Sequence, residues 1–242
     1  MEAKYIEFVG VAGSGKTTAV NIFIEEANKI KMPAQARKIV GKDTLFRFKI
    51  ILKIVFICFL VPEIFSLYFI NLRNDFKNTP HVNKIKRNLI TRMIIDTAVI
   101  YCMLKKSSNI VVNDEGLIGK LISLSIITEI PSSKIYKLIR KLLPKFTILT
   151  YVNTLPLIAL TREKKRKIDL PFFNDMDYQL KKKFFHQAVK MYKSLPKKLV
   201  KASNIREFSV CNSSSHNQLV AEISSLTKTI NKLILHNKIR DV

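Results

Sequence analysis

The chain has 242 residues, 48% of them hydrophobic and 25% charged, so it carries enough apolar surface to offset chain entropy; a mainly disordered protein is excluded, and one α/β domain spanning residues 1–242 is expected. Lys and Arg number 42 against 18 Asp and Glu, a formal net charge of +24. A surface of that sign attracts anionic partners, whether nucleic acid, anionic lipid or phosphorylated small molecules, although a lysine-rich proteome leaves the same mark.

Cys58, Cys102 and Cys211 lie far apart and form no CxxC pair, so neither a disulfide framework nor a zinc knuckle is expected. Met1 to Tyr5 lacks the basic-then-apolar order of a secretory signal. The expected setting is the reducing cytoplasm.

Lys4 to Val9 reads as a short apolar strand that runs into a glycine loop and then a helix from about Lys16 to Ile30, with Val20, Ile22, Phe23 and Ala27 at helical spacing. Pro33 is expected to stop that helix, and Ala36 to Val40, closed by Gly41, to form a second strand. Thr44 to Arg73 follows as a basic, apolar insertion whose hydrophobic residues occupy no single face. Its longest uncharged run, Ile54 to Pro62, is too short for a membrane span, which needs about 18 to 20 residues. With Arg47, Lys49 and Lys53 at its start it reads either as a buried helix pair or as a peripheral anchor on anionic headgroups.

Further along, helices are expected at about Asn83 to Lys105, Leu117 to Ile127, Ser132 to Leu143, Leu155 to Arg166, Tyr178 to Leu195 and Asn217 to Leu235. Strands are expected at Ile110 to Val112, Phe146 to Val152 and Arg206 to Val210. Strands alternating with helices predict an α/β fold, a three-layer parallel sheet with helices on both faces.

Gly10-Val11-Ala12-Gly13-Ser14-Gly15-Lys16-Thr17 matches the P-loop pattern in full, and it sits after a strand and at the start of a helix, as that motif requires. Three of the six glycines in the chain fall inside it. Glycines let the backbone curl until successive N–H groups face phosphate oxygens, and the helix N-terminus adds its partial positive charge. The motif is that of a nucleoside triphosphate site, with ATP and Mg²⁺ the expected ligands. Lys16 then reaches the β- and γ-phosphates, Thr17 holds Mg²⁺, and Thr18 adds to the cradle.

Asp114 ends the Ile110 to Val112 strand, where P-loop proteins hold Mg²⁺ directly or through water, and the adjacent Glu115 is placed to accept a proton from an attacking hydroxyl. An acidic, solvated turn is the bland alternative for both. Arg162 and Arg166 stand four apart on one helical face, positioned to close over a triphosphate, or else to end a basic solvated helix. Arg92 sits among Leu89, Ile90, Met93 and Ile94, where a buried charge needs Asp96 or an anionic ligand as partner.

The order Gly13-Ser14-Gly15-Lys16-Thr17-Thr18, then Val112-Asn113-Asp114-Glu115-Gly116, then Phe146 to Val152 followed by Ala159-Leu160-Thr161-Arg162 and Arg166 resembles the thymidylate kinase-like group of P-loop nucleoside-monophosphate and deoxynucleoside kinases. The resemblance implies phosphoryl transfer from MgATP to a small acceptor, a lid whose arginines correspond to Arg162 and Arg166, and an acceptor-binding arginine near Arg92. Asp114-Glu115-Gly116 stands where the group has Asp-Arg-Tyr, and the second strand lacks its Arg-Glu-Pro-Gly, which puts thymidylate in doubt as the acceptor. The chain also resembles relatives encoded beside bacterial surface-polysaccharide genes. That resemblance implies a lipid- or sugar-linked acceptor. A second reading is a membrane-associated ATP-binding or slow ATPase module with a regulatory or assembly role, peripheral at the inner face of the membrane. A nucleic-acid end kinase rests on net charge alone, and a dimer is compatible with the sequence.

Overall fold

The computed structural model describes residues 4–36, 80–107, 109–128, 130–165, 178–199, 205–212 and 215–240. The Thr44 to Arg73 insertion, Arg166 and most of the expected Ala36 to Val40 strand lie outside them.

Five parallel strands form one sheet: β1 (Lys4–Val9), β2 (Ala34–Ala36), β3 (Ile110–Asn113), β4 (Phe146–Asn153) and β5 (Ile205–Cys211), in the order β2-β3-β1-β4-β5. In register, Glu7 of β1 lies opposite Asn113 of β3 and Leu149 of β4. The helices are α1 (Lys16–Lys29), α2 (Pro80–Lys106), α3 (Leu117–Thr128), α4 (Ser132–Leu142), α5 (Pro156–Lys165), α6 (Tyr178–Leu199) and α7 (His216–Arg240).

Alternate residues of the strands feed two separate cores. Ile6, Phe8, Val112, Ile148 and Val152 join residues of α1 and α7 on one face. Tyr5, Val9, Val111, Leu149 and Tyr151 join α2 to α6 on the other. This is the expected three-layer arrangement, and it follows from the two-residue period of strands buried on both sides. Because β1 is central, the loops after β1, β3 and β4 emerge side by side at one edge of the sheet, where open α/β sheets place their ligands.

Two boundaries differ from expectation for visible reasons. Helix α1 is ended by Lys31 in the left-handed conformation at φ 55°, with Met32 N–H donating to Ala27 O at 2.9 Å and Lys31 N–H to Asn28 O at 3.0 Å. That closure uses a lysine in a place glycine usually takes, and it turns the chain straight into β2 at Ala34, two residues before the expected strand. Helix α6 was expected to stop before Pro196 but continues to Leu199. Leu199, one turn beyond Leu195, is fully buried, and its burial, at about 1.5 to 3 kcal/mol, offsets much of a proline's cost of about 3 kcal/mol.

Among the described residues no helix is long and apolar enough to cross a membrane, and Cys102 and Cys211 are free thiols.

Candidate functional site: the phosphate loop and the turn after β3

The loop between β1 and α1 takes its shape from Gly13 at φ 75° and Gly15 at φ 89°, both in the region that side chains disfavour. Space forbids a side chain as well as dihedrals do. A Cβ at Gly13 would stand 2.1 Å from the backbone oxygen of Ala159, and one at Gly15 would stand 2.0 Å from Nδ2 of Asn212. Inside the loop Ser14 N–H donates to Val11 O at 3.1 Å. Ser14 O is held twice, by Thr154 Oγ1 at 3.0 Å and by Asn212 Nδ2 at 2.6 Å. The residues that follow β4 and β5 thus clamp the loop that follows β1.

Lys16 Nζ donates to Gly10 O and to Val11 O, each at 3.0 Å, so the ammonium lies across the curl of the loop. Ser14 Oγ is buried without a hydrogen-bond partner, against Gly10. A cationic head over a backbone curl with an unspent hydroxyl donor is the chemistry of an anion cradle.

Thr17 and Asp114 are the two residues expected to hold a divalent cation, and the fold brings them together. Thr17 Oγ1 donates to Asp114 Oδ2 at 2.6 Å. A hydroxyl and a carboxylate oxygen are hard donors that suit Mg²⁺, a cation that takes few protein ligands and fills its other positions with phosphate oxygens and water. The donor set fits the ion. Among the described residues no group of three or more His, Cys, Asp and Glu is arranged to hold a metal by itself.

The remaining expected site residues divide. Glu115, next to Asp114, is exposed, open to the solvent side of the turn. Arg162 on α5 is half-buried and donates from Nη1 to Asn212 O at 3.2 Å, which ties it to the loop after β5 beside the clamp on Ser14. Arg92 is exposed, which corrects the premise that its charge is buried and needs a partner. Asp96, the partner expected for it, pairs instead with Lys120 at 2.8 Å.

Sequence reading missed four residues here: Thr154, Asn212, Tyr5 and Glu7. Asn212 and Thr154 each follow a strand at the ligand-binding edge of the sheet, a positional signal that strand endings alone carry. Glu7 had the plainer signal, a charge inside Tyr5-Ile6-Glu7-Phe8-Val9, a run destined for the middle of a parallel sheet. It is fully buried. Burial pushes its carboxyl up to about 7, against the opposing pull of hydrogen bonds from Gly119 and Ile118 N–H and from Tyr5, and of the nearby Lys120 charge.

A structure of deoxyadenosine kinase from M. mycoides with bound dCTP aligns over 98% of this chain and all of its own, with a TM-score of 0.51 at 16% identity. The same enzyme with bound dATP aligns over 95% of this chain and 98% of its own, at a TM-score of 0.53 and 17% identity. The chain has the fold of a deoxynucleoside kinase. A thymidylate kinase from Ehrlichia chaffeensis also aligns, over 95% of this chain and 99% of its own, at 14% identity and a TM-score of 0.49. No family model matches the sequence, and no curated protein does.

Proposed function

We propose that the chain is an ATP-dependent phosphotransferase that moves the γ-phosphoryl group of MgATP to a small nucleoside or nucleotide acceptor. The observation that carries this reading is the 2.6 Å contact between Thr17 Oγ1 and Asp114 Oδ2, which joins the P-loop to the end of β3. The deoxyadenosine kinase fold supports the acceptor class. The backbone N–H groups of Gly13 to Thr17 and the Lys16 ammonium bind the β- and γ-phosphates. Thr17 and Asp114 hold Mg²⁺, which supplies charge neutralisation on those phosphates when bound. Arg162, anchored at Asn212 O, stands ready to face the transferring group, and Arg166, four residues on in the sequence, is the second candidate for that role. Exposed Glu115 accepts the proton when the acceptor is a hydroxyl. A phosphate acceptor is already ionised and needs no such base, so the dependence on Glu115 separates the two acceptor types.

The test is transfer from γ-labelled ATP to a panel of deoxynucleosides, nucleosides and nucleoside monophosphates, run on wild type and Lys16→Ala. Label should appear on one acceptor class, and Lys16→Ala should lower its rate by about 100-fold or more. Absence of transfer to every acceptor, together with equal thermal stabilisation of both proteins by MgATP, sinks the reading.

A second reading has one observation in its favour. Asp96 is the only acidic residue within α2, α3, α4 and α6, helices that also carry Lys134, Lys137, Arg140, Lys141, Lys182 and Lys190; the helices of the opposite layer, α1 and α7, include Glu25, Glu26 and Glu222. Such asymmetry suits peripheral contact with an anionic membrane, at about 1 kcal/mol per cation near the surface. Vesicles of graded phosphatidylserine content decide it: protein that stays in the supernatant at low salt removes this reading.

A further inference from the structure

One buried carboxylate lies outside the phosphate machinery and is wired into it. Glu7 Oε1 accepts from Gly119 N–H at 2.8 Å. Its Oε2 accepts from Ile118 N–H at 2.9 Å and from Tyr5 Oη at 2.7 Å. Tyr5 Oη in turn accepts from Leu117 N–H at 3.0 Å. Three successive amides at the start of α3 are therefore satisfied by two side chains of β1, more than a hundred residues away in sequence.

Helix α3 has no local alternative. The residue before Leu117 is Gly116, which offers no side-chain oxygen of the kind that caps a helix start. Gly116 also has no room for a side chain, because a Cβ there would stand 2.0 Å from Tyr5 Oη and 2.6 Å from the Glu7 carboxyl carbon. The turn that begins at Asp114 is thus seated directly on the Tyr5 and Glu7 pair.

A charge in this place is expensive, and an apolar residue there would leave the Ile118 and Gly119 amides without their acceptor. What the carboxylate adds is a fixed distance. Strand β1 leads at its end into the phosphate loop and bears, three residues before Gly10, the cap of the helix that follows Asp114. One rigid strand therefore references both halves of the cation site.

We propose that Glu7, acting with Tyr5, is a positioning residue that holds α3 and the Asp114 to Gly116 turn at the height where Asp114 meets Thr17, and so sets Mg²⁺ affinity without touching the cation or the nucleotide. The proposal deepens the phosphotransferase reading and rests on it for the cation.

Glu7→Gln keeps shape but turns one acceptor into a donor, so one amide of α3 loses its partner. Two measurements are made on wild type, Glu7→Gln and Tyr5→Phe: hydrogen exchange of peptides covering 114–122, and the Mg²⁺ concentration that half-saturates thermal stabilisation at fixed ATP. In Glu7→Gln the α3 amides should exchange about tenfold faster, and the half-saturating Mg²⁺ should rise about fivefold or more, with ATP affinity in EDTA unchanged. Tyr5→Phe, which preserves the ring, should move both in the same direction by less, and it carries the test if Glu7→Gln does not fold. A variant that melts lower while exchange in 114–122 and Mg²⁺ demand stay at wild-type values overturns the proposal, since a purely structural role predicts that result. Faster exchange in a protein whose wild type binds no ATP would support the positioning role while sinking the phosphotransferase reading.

Discussion

The phosphate loop and the turn after β3 face each other across a 2.6 Å hydrogen bond, yet they are built by opposite means. The loop is contiguous in sequence and shaped by backbone, with left-handed glycines at Gly13 and Gly15 and carbonyls at Gly10 and Val11 that receive Lys16. The turn is short, has little shape of its own, and is held from below by Tyr5 and Glu7. Loss of one loop glycine should therefore act locally through a clash. Loss of the Glu7 carboxyl should act at a distance, through a helix.

The sharpest break of this contrast is Gly13→Ala. The new methyl would enter the left-handed region, at about 1 to 2 kcal/mol, and meet a backbone oxygen at 2.1 Å that moves only if α5 moves, at a further 1 to 3 kcal/mol or so. We expect a total loss of about 3 kcal/mol in urea unfolding. Gly15→Ala carries the same dihedral cost, but its obstacle is the tip of the Asn212 side chain, which can swing away. Its loss should be smaller, about 1 to 2 kcal/mol. Equal losses would mean that α5 does not fix the loop.

On the other side of the comparison, the Glu7 carboxyl is pushed up to about 7 in the folded protein from an ordinary 4.5. The folded state then holds a proton that the unfolded chain releases, so this contribution is complete below about pH 4.5 and is lost as pH rises through about 7. The groups facing it do not reverse the sign. Tyr5 and Tyr192 are raised chiefly by burial and stay neutral, while Lys120 is paired with Asp96. Glu115 in the turn, which acts with Glu7 on Tyr192, lies on the exposed side. Wild type should lose about 2 to 3 kcal/mol between pH 5 and pH 8 that Glu7→Gln does not lose. Parallel pH profiles for the two proteins would show that Glu7 is not the group titrating.

How much was legible follows the same division. The order of elements, the parallel sheet and the phosphate loop could be read because each depends on residues close together in the chain: the uninterrupted apolar run of Ile110 to Val112, the spacing of Gly10, Gly13 and Gly15. Asp114 was legible because a strand ending is a local signal. The Glu7 cap was not, since nothing local to Leu117 shows that its amide partner is Tyr5. Nor was the pairing of Asp96 with Lys120 rather than Arg92, because side chains one turn apart on a helix compete with partners on neighbouring helices that periodicity does not see. The end of α6, expected at Leu195, was missed for another reason: the burial of Leu199 carries the helix one turn further.

The smallest effect expected in single variants concerns the clamp on Ser14 O, and it tests whether the loop's shape is set from outside. Thr154 Oγ1 and Asn212 Nδ2 both donate to that one carbonyl, in buried surroundings. A carbonyl oxygen has two lone pairs, and one remaining donor keeps it from being left unpaired. Thr154→Val and Asn212→Ala should therefore each cost only about 0.5 to 1 kcal/mol, the net worth of one hydrogen bond. The double variant leaves Ser14 O buried without either donor and should cost about 2 to 3 kcal/mol, more than the sum, with the excess measured as a coupling energy in a double-mutant cycle. The same excess should appear in ATP-induced stabilisation if the clamp holds the loop's amides in their binding arrangement. Strict additivity would mean that the loop keeps its form by its own glycines, and that the strand endings of β4 and β5 merely lie against it.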